Sequence, residues 1–248
     1  MRWRAHALVH WCTGALVHWR TGADPGHAGL LCHDRGVTTH LYLVRHGETD
    51  WNAERRIQGS TDIPLNDTGR AQARAAAELL ARRSFDAVVA SPLSRAFETG
   101  SLIAERLGLP TPTAHPGLAE RAYGDAEGLT DDEVLAQYPH DAIPGRESRS
   151  ALLARVTETL GEIAVRFDGG VIVVATHGAV IRSVVNAAAP GTADRRHTPI
   201  RNGSIHSFRW DPERFHAELV RFDDPVEELP AAPESAAFDD QNPLEQRN

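Results

Sequence analysis

Apolar residues along the middle of the chain come in short runs whose spacing assigns an element to each, with polar stretches between them. The run HLYLVR at 40–45 is too short for a helix and reads as a buried strand. It passes into GETDWNAERRIQGSTDIPLNDTG, whose charged and turn-forming residues read as a loop outside the core. Ala71, Ala75, Leu79 and Leu80 then recur at helical spacing, which predicts a helix over about 69–83 with Asn66 or Thr68 as its cap. DAVVAS at 86–91 is a second strand, and the helix after it starts near Pro92 and stops at Gly108. A helix over about 148–167 leads into GVIVVATHG, a strand too continuously apolar to have one exposed face, and Ala179 to Ala188 makes a further helix. SIHSFRW and FHAELVRF alternate apolar and polar positions about DPER and predict a closing hairpin.

Strands alternating with helices call for an α/β fold, a three-layer sandwich with a mainly parallel central sheet flanked by helices. This domain is expected over 37–223. Residues 1–36 differ: ALVHWCTGA at 7–15 is followed by ALVHWRTGA at 15–23, an eight-residue repeat that fits neither helix nor strand and, at two copies, is too short for a solenoid. The segment reads as a disordered extension, or as translated upstream sequence ahead of a start near Val37, and its histidines alone are weak grounds for a metal site. Residues 224–248 combine prolines with acidic and small residues and read as a disordered acidic tail.

Composition removes several functional classes. No apolar run reaches the length of a membrane span, and His10, Trp11, His18 and Arg20 interrupt what would be the apolar core of a signal peptide. Cys12 and Cys32 both precede the first clear strand, so the folded body has no disulfide to form, which favours a cytoplasmic setting. All 26 basic side chains are arginine; Schiff-base chemistry and a P-loop lysine are excluded. Residues 211–248 hold eleven acidic and three basic side chains and so carry the whole formal charge of −8. The body is neutral and lacks an electrostatic footprint for nucleic acid.

Two of the strands end alike, LVRHG at 43–47 and VATHG at 174–178. In a parallel sheet both ends lie on the edge where α/β proteins bind ligands, so His46 and His177 are expected to face one pocket. Gly47 and Gly178 let the backbone bend there and present amides. SPLSRAFET begins where the second strand ends, which brings Arg95 in from the first turn of a helix, and LAERAYGDAEGL supplies Glu120. Taken singly, a His at a strand end is more often a hydrogen-bonded core residue, Arg95 a surface residue and Trp51 loop packing. Two His with no cysteine and no third ligand at metal spacing make a poor zinc site.

Together, Arg-His-Gly-Glu-Thr at 45–49, Ser-Pro-x-x-Arg-Ala at 91–96, Glu120 ahead of Tyr-Gly-x-x-Glu-Gly, and Thr-His-Gly at 176–178 resemble the histidine phosphatase superfamily, in its phosphoglycerate-mutase-like branch, over nearly all of 39–210. The resemblance implies a phosphomonoesterase in which His46 becomes phosphohistidine, Arg45, Arg95 and His177 hold the phosphoryl oxygens, and Glu120 serves as acid and then base. It also implies substrate contacts from Asn52, Gln58, Thr61 and Gly178, a small phosphorylated metabolite as substrate, no cofactor and no metal, no nucleic-acid or membrane partner, and it allows a homodimer. Of the other carboxylates nearby, Glu127 reads as support for a turn and Glu48 as a group that orients a neighbour.

The same resemblance offers a 2,3-bisphosphoglycerate-dependent mutase, which needs a long insertion between the acid and the second His to cover the intermediate. Here Glu120 and His177 are 57 residues apart, and helices and a strand occupy most of that length, so hydrolysis is favoured. A non-catalytic relative that binds a phosphorylated ligand is the other alternative; such a chain usually loses the nucleophile or the acid, and both expected positions are intact. Two departures bear on the substrate: Ala126 stands where many relatives have an aromatic residue, and Gly145-Arg146-Glu147-Ser148 where they have Gly-Gly-Glu-Ser. The first would enlarge the pocket, and the second would put Arg146 against an anionic part of the substrate or in solvent.

Overall fold

A computed structural model describes residues 38–188 and 198–223. The two segments expected to be disordered, 1–36 and 224–248, lie outside the described residues. Strands β1 (His40–Arg45), β2 (Ala87–Ala90), β3 (Thr113–Ala114), β4 (Val171–Thr176), β5 (Ile205–Asp211) and β6 (His216–Arg221) form one six-stranded sheet in the order β3-β2-β4-β1-β5-β6. The pairs β1/β4, β2/β4 and β2/β3 are parallel, while β5 runs antiparallel to β1 and β6 to β5 as the expected hairpin.

Alternate residues of the strands enter two separate apolar layers. Leu41, Leu43, Ile172, Val174 and Phe208 pack against α5 (Arg149–Arg166) and α6 (Gly178–Ala188) through Leu152, Val156, Leu160, Val180 and Val184. Val44, Val88 and Val173 face the other way, onto Ala76, Ala77 and Leu80 of α2 (Asp67–Leu80) and Ile103 and Ala104 of α3 (Ser94–Leu107). Burial on both faces is why these strands read as unbroken apolar runs. Each fully buried Leu or Ile in the layers contributes roughly 1.5–3 kcal/mol relative to exposure. The result is the expected three-layer sandwich. Among the described residues no helix is long and apolar enough to cross a membrane.

Helix boundaries follow local chemistry. Asn66, not Thr68, caps α2, its side chain accepting from the Gly69 amide at 2.8 Å, so the helix begins two residues before the expected start and ends at Leu80. Ser148 caps α5, and Gly108 ends α3 in the left-handed conformation, φ +68°. The start of α3 has no cap of its own; Asp62 reaches across to accept from both the amide and the hydroxyl of Ser94, each at 2.8 Å.

The polar stretch expected to lie outside the core does contribute to it. Ile57 and Leu65 are buried, and Ile57 joins Tyr123, Ala126, Val134 and Ile143 in a third apolar cluster. The one-turn α1 (Asp50–Ala53), the edge strand β3, α4 (Asp131–Gln137) and the short 3-10 turns Pro116–Leu118 and Gly124–Ala126 were not anticipated.

Candidate active site

Register places the two imidazoles. Arg45 is opposite Thr176 at the last rung of the β1/β4 ladder, so the next residues, His46 and His177, leave the sheet side by side. The His46 amide donates to the Thr176 carbonyl at 2.9 Å, and the ring centroids lie 5.1 Å apart. Both side chains are buried. Nδ1 of His46 is 2.7 Å from the Gly47 carbonyl oxygen. Because a carbonyl can only accept, that nitrogen carries the hydrogen, and Nε2 keeps its lone pair. Burial, then Arg95 and Arg45, hold the pKa of His46 well below the ordinary imidazole value, so the ring is neutral near pH 7.

The two arginines are fully buried and oriented by backbone carbonyls. Arg45 donates from Nη1 to Ile200 at 2.5 Å. Arg95, in the first turn of α3, donates from Nη1 to Thr61 at 2.9 Å and from Nη2 to Gly59 at 2.8 Å. Nε2 of His177 lies 2.7 Å from the Ser91 hydroxyl, which itself accepts from the Leu93 amide at 3.2 Å. Its Nδ1 is buried with no hydrogen-bond partner among the described residues. Burial, Arg95, His46 and Arg45 push His177 well below the ordinary imidazole range as well.

Glu120 is 5% exposed, and its two oxygens accept from the Arg121 amide at 2.8 Å and the Ala179 amide at 3.2 Å. The second bond sets it beside the His177-Gly178-Ala179 turn. Arg155 of α5 fixes the segment from behind, donating to the carbonyls of Gly117, Ala119 and Glu120 while paired with both oxygens of Glu147. Glu48 faces Asn66 at the start of α2, accepting at 3.0 Å, and Glu127 accepts from the loop at Ser60 and Thr61. Among the described residues no group of three His, Cys, Asp or Glu could hold a metal ion.

The outer residues are placed unevenly. Asn52 is buried, and its Oδ1 accepts from Thr49 and from Asn202. Gln58 is 1% exposed, and Gly178 opens α6 against the Arg45 guanidinium, which a Cβ there would meet at 3.5 Å. The Thr61 hydroxyl donates to Glu127 at 2.6 Å, while its carbonyl holds Arg95. Trp51 packs on Gly128. Arg146 is partly buried and forms a two-point ion pair with Asp141, at 2.6 and 3.0 Å. Sequence reasoning passed over Asn202, whose amide donates to the His46 carbonyl at 3.0 Å, and Thr99, whose hydroxyl accepts from the Gly47 amide at 3.2 Å. Asn202 sits in Arg-Asn-Gly-Ser, a plain turn signal that gives no hint of a partner 156 positions earlier.

Comparison with known proteins points the same way. Residues 41–223 match the model of the histidine phosphatase superfamily (branch 1). A protein of Bacillus subtilis named as the phosphatase PhoE is 36% identical over 177 residues, covering 71% of this chain and 91% of its own. The metal-independent phosphoserine phosphatase of Arabidopsis thaliana is 38% identical over 159 residues, 59% of this chain and 67% of its own, and a 2,3-bisphosphoglycerate-dependent phosphoglycerate mutase of Methylobacterium is 38% identical over 162 residues, 58% and 78%. Among solved structures, a mycobacterial glucosyl-3-phosphoglycerate phosphatase superposes with a TM-score of 0.67 at 30% identity, over 75% of this chain and 99% of its own.

Proposed function

Since this chain belongs to the histidine phosphatase superfamily, branch 1, and is a phosphoric monoester hydrolase of that family, we propose that it cleaves a small phosphorylated metabolite through a phosphohistidine on Nε2 of His46. The observation that carries this reading is the state of His46: neutral, with Nδ1–H bound to Gly47 and Nε2 bearing its lone pair beside two buried arginines. Nε2 attacks phosphorus and the bond to the leaving oxygen breaks. Glu120 gives that oxygen a proton. Water then attacks phosphorus, Glu120 takes its proton, the P–N bond breaks and phosphate leaves.

Arg45 and Arg95 supply fixed positive charge to the equatorial oxygens, and their carbonyl anchors mean that little reorganisation accompanies the transition state. His177 contributes a neutral donor in the tautomer in which the Ser91 hydroxyl donates to Nε2, which leaves the hydrogen on Nδ1 for a phosphoryl oxygen. Asn52, Gln58, Thr61 and Gly178 line the approach; the Thr61 side chain acts through Glu127. Phosphoserine and glucosyl-3-phosphoglycerate, the compounds named for two relatives, head the list of substrates to try.

The test is a phosphate-release screen over a panel of phosphomonoesters containing these two, compared by kcat/KM, with rapid acid-free quenching to trap the labelled protein. Turnover on one class and phosphate on Nε2 of His46 are expected; a protein that binds phosphomonoesters without ever becoming labelled would be a binding relative. The mutase-named relative supports a second reading. More than half of the stretch from Glu120 to His177 is α4, α5 and β4, which leaves only short connections and no long insertion to form a cover, so 3-phosphoglycerate with 2,3-bisphosphoglycerate should give hydrolysis or no reaction. Isomerisation faster than phosphate release would establish the mutase instead.

A further inference from the structure

We infer that Glu127 is a positioning residue which joins the two halves of the site, holding the turn that orients Arg95 and the segment that carries Glu120 on one carboxylate. Oε1 accepts from the amide and hydroxyl of Ser60, each at 2.9 Å, and from the Tyr123 amide at 3.0 Å. Oε2 accepts from the amide of Thr61 at 2.9 Å and its hydroxyl at 2.6 Å. Three of the donors are backbone N–H groups that cannot accept, and with the two hydroxyls they suit an ionised carboxylate. Burial works against the charge, but the bonds from Thr61, Ser60 and Tyr123 outweigh it and keep the carboxyl below its usual range.

Ser60 and Thr61 belong to the turn whose Gly59 and Thr61 carbonyls hold the two Nη atoms of Arg95, and Tyr123 follows Glu120 by three residues. Asp62 then fastens the same turn to the first residue of α3. Gly59 makes the arrangement possible: its φ is +56°, and a Cβ there would lie 2.1 Å from Oε1 of Glu127. Glu127 thus sets where the cradle for the phosphoryl group lies relative to the acid without touching either substrate or leaving group. Replacement by Gln turns one acceptor into a donor that faces a backbone N–H, either of Thr61 or of Ser60 and Tyr123. Backbone donors cannot rotate away, so the turn must shift, and Arg95 with it.

The inference rests on the reading of Arg95 as the phosphoryl-binding arginine, and a double-mutant cycle separates the two. Inorganic phosphate is titrated calorimetrically into the full-length protein, and kcat/KM is measured on p-nitrophenyl phosphate and on an alkyl phosphate, for the parent, Glu127→Gln, Arg95→Ala and the double variant, with unfolding temperature recorded for each. Glu127→Gln should weaken phosphate binding by about ten-fold, the scale expected of coupled neighbours in one network, and lower kcat/KM by at least that factor on p-nitrophenyl phosphate and by more on the alkyl phosphate, which also needs Glu120 in place. On Arg95→Ala it should weaken phosphate binding by less than about a further two-fold. Full additivity in phosphate binding on that background would show that Glu127 acts elsewhere and overturn the inference, and so would a loss confined to the alkyl phosphate with phosphate binding unchanged, since the turn that holds Arg95 would then not depend on Glu127. If Arg95→Ala itself leaves phosphate binding intact, the reading of Arg95 fails and the inference with it. Should Glu127→Gln fold poorly, Glu127→Asp, which keeps the charge but is a methylene too short to span both loops, enters the same cycle with the same expectations.

Discussion

The hydrogen on Nδ1 of His46 decides how this site is tested at the scale of single residues. With Nε2 as the attacking atom, His46→Ala removes the covalent path, and every phosphomonoester should lose turnover whatever its leaving group. The proposed acid behaves differently. Its proton matters when an alkoxide must depart and much less when a nitrophenolate does, so Glu120→Gln should slow phosphohistidine formation from an alkyl phosphate by about 10²–10⁴ while p-nitrophenyl phosphate suffers far less. Single-turnover rates make the comparison, because slow dephosphorylation would mask it in steady state; equal losses on both substrates would remove Glu120 from the acid role. His46, His177, Arg45 and Arg95 were legible in the sequence because they stand at strand ends and a helix start, where chain order alone brings them to one edge, whereas Glu120, in a loop, was read from the motif around it. Their supports were not. Those from Asn202 and Thr99, and the bond of Ser91 to the His177 ring 86 positions away, are contacts of small polar residues with partners far along the chain, and a neutral hydrogen bond of that kind leaves no pattern in composition or period.

At the scale of elements, legibility follows length. The long helices and the buried strands announce themselves because several turns or pleats repeat one pattern, whereas β3 has two exposed residues and α4 seven with only Val134 buried, too few to show a period. Isolated Ile57 and Leu65 within a polar stretch gave no signal either, although a third apolar cluster depends on Ile57. The contact between the loop after β1 and α2 was equally invisible, since it is made by glycines. A Cβ on Gly47 would lie 2.1 Å from the Gly69 carbonyl oxygen, and one on Gly69 would lie 2.0 Å from that of Glu48. The first turn of α2 therefore presses directly on the backbone that follows His46. Gly to Ala inside a helix ordinarily gains up to about 1 kcal/mol. Here the sign should reverse: Gly69→Ala must push the helix off the nucleophile loop, destabilising by about 1–3 kcal/mol as overpacking does and lowering kcat with it. Urea unfolding and turnover of the purified variant give the answer, and a Gly69→Ala protein as stable as its parent would mean that the contact is slack.

For the molecule as a whole, the site is a source of acid lability. His46 and His177 are neutral in the fold because burial and the neighbouring arginines keep protons off them, and His115, less buried, is lowered by burial and Arg166. Unfolding frees these rings to titrate at their ordinary value of about 6.5. A depressed pKa in the fold means that stability is full above the unfolded value and falls as the pH drops below it, since the unfolded chain then binds protons that the native one refuses. The depressed carboxyls, Glu127 among them, lose their contribution only below about pH 4.5, so the window between roughly 6.5 and 5 belongs to the imidazoles. Across it the free energy of unfolding should fall with a slope approaching two protons per molecule from the catalytic pair. His46→Asn, which cannot titrate, removes one of them. Relative to its own value at pH 7.5, the variant should gain on the parent by about 1.4 kcal/mol for each pH unit below 6.5 until the native ring itself takes up a proton. Urea titrations of both proteins at half-unit intervals measure this directly. Parallel curves would mean that His46 is already protonated in the native state, and a protonated ring has no lone pair with which to attack phosphorus.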